Sequence, residues 1–294
     1  MTKRFVYLVF CGFFLGLSLF APGFSGSVVA IIMGVYHDLV KIASNPIRQM
    51  RKNANFVLPL GIGAVISAVL FVLFFNFLFQ TYEKATYLLF VGLILGNLPV
   101  LYTEAKKSGF KKSYLLGGVA SFAAALILGI MSANAAGQAE SAAAVVPALH
   151  VMVIGGVVTG FAVPIPGMST AVVLILMNMY TQLIYVADAL LRFDTTYLLH
   201  FGLFFVSSIA GVVIISKGIK TVFERFAGPT NSVALGFISG SMIGILVKTF
   251  GLSDTNFTWL FGGIMIAVGL VVSLIFGVVG KNMGGLDLNS KNKE

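Results

Sequence analysis

Two apolar stretches of this chain break in the same way, 144 residues apart. From Phe5 to Tyr36 the residues are apolar, small or hydroxylic, yet the middle reads Leu19-Phe20-Ala21-Pro22-Gly23-Phe24-Ser25-Gly26-Ser27. The signature returns as Pro166-Gly167-Met168-Ser169-Thr170, and each copy is followed by a Met and a Tyr at matching distances, Met33 and Tyr36 against Met177 and Tyr180. One smooth helix cannot run through either break. Proline removes a backbone donor and clashes with the preceding turn, glycine opens left-handed conformations, and serine caps a new helix. The spacing predicts helix, tight turn, helix at both places.

Composition sets the solvent. Charged residues make up 10%, hydrophobic residues 58%, and mean hydropathy is +1.00, whereas about a quarter of a soluble domain is charged. The chain reads as an integral membrane protein. Its first apolar stretch lacks a small-residue cleavage site and runs past signal length, so it is not expected to be a cleaved leader. A single cysteine, Cys11, excludes an internal disulfide framework and a thiolate metal cluster, and is expected as a small apolar packing residue. The net charge of +9 sits in short segments between apolar ones. It therefore points to membrane topology, with no nucleic-acid partner.

In chain order, legs of about 16 residues at 5–20 and 25–40 fall short of the ~20 that span a bilayer and form a first hairpin over 5–40. A basic loop follows, then expected spans at 56–79, 87–102 and 113–132, separated by loops at 80–86 and 104–112. Residues 134–146 are alanine-rich without a basic group and read as an external linker between halves. The second half repeats the order: a hairpin at 147–186 and spans at 197–216, 233–250 and 257–279. Glycines pair across the halves, Gly61 with Gly202, Gly92 and Gly96 with Gly236 and Gly240, and Gly117-Gly118 with Gly262-Gly263. Such a repeat through every segment indicates internal duplication. The halves are expected at 1–140 and 141–294.

Charge decides the sense of the repeat. If each broken segment dips in and returns, the groups at Lys3 and Arg4, 41–52, 106–112, 217–225 and 281–293 share one side and hold 16 of the 19 basic residues. Only Lys84, Arg192 and Lys248 then fall outside. If each broken segment crosses once instead, the bias disappears. The positive-inside rule selects the hairpins, and three spans per half make the repeats inverted. The expected fold class is an all-α polytopic membrane protein with two inverted repeats, each a re-entrant helical hairpin plus three transmembrane helices. Both termini are expected in the cytoplasm.

Each return leg starts near the expected membrane midplane. Its first N–H groups have no intrahelical partner and carry the positive end of the helix dipole. Gly23, Gly26 and Gly167 allow close approach, while Ser25, Ser27, Ser169 and Thr170 add hydroxyl donors, with Pro22 and Pro166 setting the turns. Two such ends facing each other suit a phosphate without any lysine.

At Pro22-Gly23-Phe24-Ser25-Gly26 with Met33-Gly34-Val35-Tyr36, at Pro166-Gly167-Met168-Ser169 with Tyr180, and at Gly92-Leu93-Ile94-Leu95-Gly96-Asn97-Leu98-Pro99, the chain resembles the bacterial polyprenyl-phosphate translocases, long catalogued as a domain of unknown function. The resemblance covers essentially the whole chain. It departs at Ser27, where a second glycine is usual, and at Thr170-Ala171, where a Ser-Gly-like pair is commoner. It implies a flippase of the bacterial cytoplasmic membrane that returns undecaprenyl phosphate, the lipid carrier of cell-envelope synthesis, from outer to inner leaflet. No cofactor or metal is implied, and a homodimer is one admissible assembly.

Other polar residues are secondary candidates. His150 and His200 stand near segment ends, Asp38 follows Tyr36 at the expected cytoplasmic mouth, and Glu104 closes a span. These four are the candidate proton carriers. Lys217 and Lys220 snorkel to the cytoplasmic interface or receive an arriving headgroup. Tyr36 and Tyr180 read as matched packing partners of the hairpins, and Asn97 and Asn178 as interhelical hydrogen-bonding groups. A secondary transporter of a small anion would use the same opposed hairpins, but 27 phenylalanines and abundant aliphatics favour a lipid tail that stays in the bilayer. A lipid-phosphate enzyme needs a nucleophile beside a base or a metal cluster. Three His, ten carboxylates mostly in loops and one Cys supply neither.

Overall fold

The computed structural model describes residues 2–22, 26–44, 52–107, 113–137, 148–163, 165, 168–252 and 257–291. Every described element is helical: α1 Thr2–Phe20, α2 Gly26–Ile32, α3 Tyr36–Ser44, α4 Ala54–Thr81, α5 Glu83–Lys107, α6 Tyr114–Gly137, α7 Leu149–Ala162, α8 Thr170–Leu176, α9 Tyr180–Leu191, a 3₁₀ turn Thr195–Tyr197, α10 Leu198–Gly251 and α11 Trp259–Lys291. Lipid offers backbone groups no hydrogen bonds, so apolar spans must satisfy them internally as helices. Six segments are long and apolar enough to cross a membrane, α10 supplying two of them at Thr195–Ile215 and Gly228–Gly251. The chain is a multi-pass, all-helical membrane protein.

The return legs are not the continuous helices expected over 25–40 and within 147–186. Each stops after seven residues, at Ile32 and Leu176. The cause is the same in both halves, a left-handed residue at Gly34 (φ 63°) and at Asn178 (φ 56°), which stand 144 residues apart. In the first, the Val35 amide donates to the Ala30 carbonyl at 3.0 Å and Gly34 to Ile31 at 3.0 Å; in the second, Met179 donates to Leu174 at 2.9 Å and Asn178 to Ile175 at 3.1 Å. This is the Schellman pattern that ends helices. Glycine suits the left-handed position and asparagine tolerates it. At the second break the axis turns by 108° between α8 and α9.

Several boundaries also move. The expected loop at 80–86 shrinks to a break at Tyr82, since α4 runs to Thr81 and α5 starts at Glu83. Helix α5 continues to Lys107 and α6 to Gly137, into the stretches read as a loop and a linker. The basic segment holding Lys217 and Lys220 is helical rather than a loop. The two spans of α10 are separated by a kink at Phe226 (φ −130°, ψ 38°), three residues before Pro229, whose ring disfavours helix in the preceding turn.

Helix packing follows the duplication. Helix α1 lies along α4, and α7 along the first span of α10; α5 packs on α11, and the second span of α10 on α6. Small residues permit these approaches, and equivalent ones do so in each half. A Cβ on Gly16 would press on Ala64 in α4, and a Cβ on Gly160, 144 residues later, on Ser208 in α10. Gly92 and Gly96 lie against the α11 backbone as Gly236 and Gly240 lie against the α6 backbone. The pairing of Gly61 with Gly202 has no such meaning. A Cβ at either meets nothing within 4 Å.

The halves differ in how deeply the broken elements are held. Helix α8 is buried from Ala171 to Leu176 in the main core, with Phe71, Phe75, Phe79, Phe90 and Ile245. By contrast α2 and α3 belong to a smaller cluster of Leu8, Ala30, Val35, Phe56 and the buried Cys11.

Candidate functional site

The second break sits inside the core and gathers polar groups from three helices. As the left-handed residue after α8, Asn178 carries a side chain where its counterpart Gly34 has none. Its Oδ1 accepts from the Ser132 hydroxyl on α6 at 2.8 Å and from the Lys248 ammonium on α10 at 2.6 Å. Its Nδ2 donates to the Ser132 carbonyl at 3.0 Å. The Lys248 ammonium also lies 4.8 Å from the ring centroid of Tyr87, close enough for a cation–π contact. Lys248 is only 5% exposed. It stands in the last turn of α10, three residues before Gly251.

From the sequence, Lys248 is expected within the span 233–250 and outside the basic cytoplasmic groups; the structure places it in the last turn of the second span of α10, against Asn178. A lone lysine within an apolar span was the available signal. The interhelical role expected of Asn178 is borne out by its contacts with α6 and α10.

Beside this cluster the broken elements meet. Tyr180, the first residue of α9, is wedged between Phe79 and Phe90, with ring centroids at 5.8 and 5.4 Å. Its hydroxyl donates to the carbonyl of Phe20, the last residue of α1, at 3.1 Å. The end of α1 is thus joined to the break between α8 and α9. Tyr36, half-buried in the smaller cluster, has its ring 5.8 Å from that of His37.

At the turns, the Met168 amide donates to the Ile165 carbonyl at 3.1 Å, and α8 opens with Val173 donating to Ser169 at 3.2 Å. Ser169 is half-buried and its hydroxyl makes no capping bond to α8. Thr170 and Gly26 are half-buried and Pro22 is buried. Gly23, Ser25, Pro166 and Gly167, together with the side chains of Ser27, Glu104, Lys217 and Lys220, lie outside the described residues. Asp38 and His150 are exposed. His200 is half-buried, and its Nδ1 is buried without a hydrogen-bond partner. A buried carboxylate absent from the sequence reading is Asp188 on α9, whose Oδ2 accepts from Arg192 Nε at 2.8 Å. Its i, i+4 spacing from Arg192 on an apolar helix was the missed signal.

A crevice of about 670 Å³ opens between the end of α5, the start of α6 and the second span of α10. Tyr102, Lys106, Leu115, Phe122, Ser232 and Leu235 are among its lining residues. The exposed Lys106 gives this mostly apolar space one charged member. Its volume falls within the range of small-molecule sites.

A family model described as undecaprenyl phosphate translocase-like matches residues 15–260. A protein of Staphylococcus aureus (strain NCTC 8325 / PS 47) named polyprenyl-phosphate transporter is 23% identical over 273 residues, which cover 90% of this chain and 94% of that relative. No solved structure matches the chain.

Proposed function

The chain belongs to the undecaprenyl phosphate translocase-like family, and from that premise we propose that it moves polyprenyl phosphate across the bacterial cytoplasmic membrane, from outer to inner leaflet, for reuse of the carrier lipid. The observation that carries this is the junction of two broken apolar elements, Tyr180 on one and the Phe20 carbonyl on the other, within a bundle of six candidate spans. The family and the staphylococcal relative are named for transport, not catalysis. In this proposal the two halves, 1–140 and 141–294, are inverted repeats with re-entrant hairpins. Gly23, Ser25, Gly26, Ser27, Gly167, Ser169 and Thr170 hold the phosphate, and the isoprenoid tail stays in lateral apolar space such as the crevice at Phe122 and Leu235. Phosphate needs many donors and its tail needs none, which fits turns rich in backbone N–H inside apolar walls.

The proposed topology puts both termini in the cytoplasm. A cysteine at Ser44 should be labelled from the cytoplasmic side and one at Gln138 from outside. Labelling of both from one side would overturn the inverted arrangement.

Inward movement of the headgroup works against an inside-negative potential, at about 2.3 kcal/mol per charge per 100 mV. An outer-to-inner lipid gradient of about fifty-fold offsets one charge, each tenfold supplying about 1.4 kcal/mol. Titratable groups within the spans are sparse, so the proposed carrier runs on that gradient. In vesicles containing polyprenyl phosphate, a leaflet-sidedness assay should show protein-dependent inward movement that slows under an inside-negative potential and gains little from an inward pH gradient. No protein-dependent movement would sink the proposed function. Strong acceleration by the pH gradient, lost on replacing Asp38, Glu104, His150 or His200, would replace gradient-driven movement with proton coupling.

A further inference from the structure

The crevice of about 670 Å³ between α5, α6 and the second span of α10 joins a hydrocarbon interior to a cationic rim. Leu115, Val119, Phe122 and Leu235 line it, and its two serines are spent on their own helix. The Ser232 hydroxyl donates to the Gly228 carbonyl at 3.1 Å and the Ser239 hydroxyl to the Leu235 carbonyl at 2.8 Å. A polar solute entering such a space would lose its hydration without regaining its hydrogen bonds. A hydrocarbon chain loses nothing there. Tyr102, Leu115 and Val119 are exposed, so the crevice opens onto the outer face of the bundle, which in a bilayer meets lipid.

The polar members come from the last turns of α5. Lys106 and Tyr102 are both exposed lining residues, and their i, i+4 spacing puts them on one face of the helix. Together they offer the three donors of an ammonium and one of a phenol. A cationic rim over apolar walls complements an anionic headgroup on a hydrocarbon tail. Helix packing does not require that ammonium. The equivalent position 144 residues later is Phe250, whose ring lies 5.6 Å from that of Trp259. There α5 and α11 meet through Gly92 and Gly96 as α6 and α10 meet through Gly236 and Gly240.

We propose that this crevice is the inner-leaflet binding site of the transported lipid, with the isoprenoid chain along Val119, Phe122 and Leu235 and the phosphate monoester at Lys106 and Tyr102. The identity of the occupant rests on the transport reading and topology proposed above, which put the end of α5 on the cytoplasmic side. The turns then hold the headgroup during passage. Lys106 and Tyr102 hold it on arrival, before the lipid leaves sideways into the bilayer.

The test uses purified full-length protein in lipid nanodiscs and a farnesyl phosphate analogue carrying a diazirine on its terminal isoprene, with crosslinks mapped by peptide mass spectrometry. Crosslinks are expected on Val119, Phe122 or Leu235, competed by unmodified farnesyl phosphate and not by farnesol or phosphatidylglycerol. Lys106→Met should raise the analogue concentration for half-maximal crosslinking about fivefold, the effect of one basic residue beside anionic headgroups, and Lys106→Arg should leave it unchanged. Val119→Trp fills the crevice from an exposed position and should remove the crosslinks, with elution and helix content as checks on folding. Crosslinks confined to other helices, or equal competition by farnesol and phosphatidylglycerol, overturn the proposal and leave an ordinary lipid-filled gap. Wild-type half-maximal crosslinking in Lys106→Met overturns the headgroup assignment. Specific crosslinking here without protein-dependent movement in vesicles would keep the lipid site and remove the transport reading. Wild-type movement by Val119→Trp without crosslinking would keep transport and remove this site from it.

Discussion

Gly167→Leu and Gly23→Leu are each expected to reduce polyprenyl-phosphate transport in vesicles to the rate of protein-free vesicles, while the purified variants keep wild-type helix content and elution. Glycine occupies the matching position in both halves, directly after Pro22 and Pro166. In the second half the Met168 amide bonds to the Ile165 carbonyl at 3.1 Å. The sequence between them, Pro166-Gly167, has the order that a type II turn favours. Leucine at the third position of such a turn costs about 1–2 kcal/mol, a fraction of the ~5–15 kcal/mol that holds a domain together. In the proposed phosphate site its larger expected effect is steric, because a side chain at the glycine position would meet the headgroup. In the proposed site Ser169→Ala would remove one hydrogen bond to a charged group, about 1.5–3 kcal/mol, and should slow transport without abolishing it. Wild-type transport by both leucine variants would reduce these turns to kinks in the helices.

The second large effect is structural. Gly236→Val should lower the melting temperature in detergent by many degrees and broaden the elution profile. Gly236 faces Gly118, where the second span of α10 meets α6, and a Cβ there would overlap the Gly118 carbonyl and come within 2.8 Å of the Ser121 hydroxyl. The obstacle is backbone and cannot rotate away. Ser121 also donates to the Val233 carbonyl at 2.6 Å, so the interface gives up a hydrogen bond as it opens. Overpacking of this kind costs about 1–3 kcal/mol, occasionally more, and here two helices must separate. Gly61→Ala is the matched control, because a Cβ at Gly61 meets nothing within 4 Å. Equal melting of Gly236→Val and Gly61→Ala would show that the α6–α10 contact tolerates separation.

Much of this protein is legible locally. The apolar stretches expected as spans at 56–79, 113–132 and 257–279 coincide with helices long and apolar enough to cross a membrane, at Ala54–Thr81, Tyr114–Asn134 and Trp259–Val278, because in lipid their backbone can satisfy itself only as helix. Helix α1 ends at Phe20, just ahead of Pro22, and α7 ends at Ala162, just ahead of Pro164, because a proline nitrogen has no hydrogen to donate and its ring crowds the turn before it. Even the stop at Gly34 follows a readable rule, glycine just past an apolar run. Its partner at Asn178 was harder to see, because asparagine is left-handed only by tolerance and more often simply hydrogen-bonds across helices. It does both here.

By itself the sequence determined the apolar surroundings, the helical class and the prolines and glycines that interrupt helices, since each depends on residues within a few turns of one another. Only the tertiary structure decided that Lys248 is buried against Asn178 and Tyr87, that Tyr180 bonds to Phe20, and that Gly236 rather than Gly61 bears on a neighbouring backbone. Those facts join residues 70 to 161 positions apart along the chain. They depend on which helices cross, at what angle and in what register, and hydropathy along one helix records that it must be covered but not by which partner.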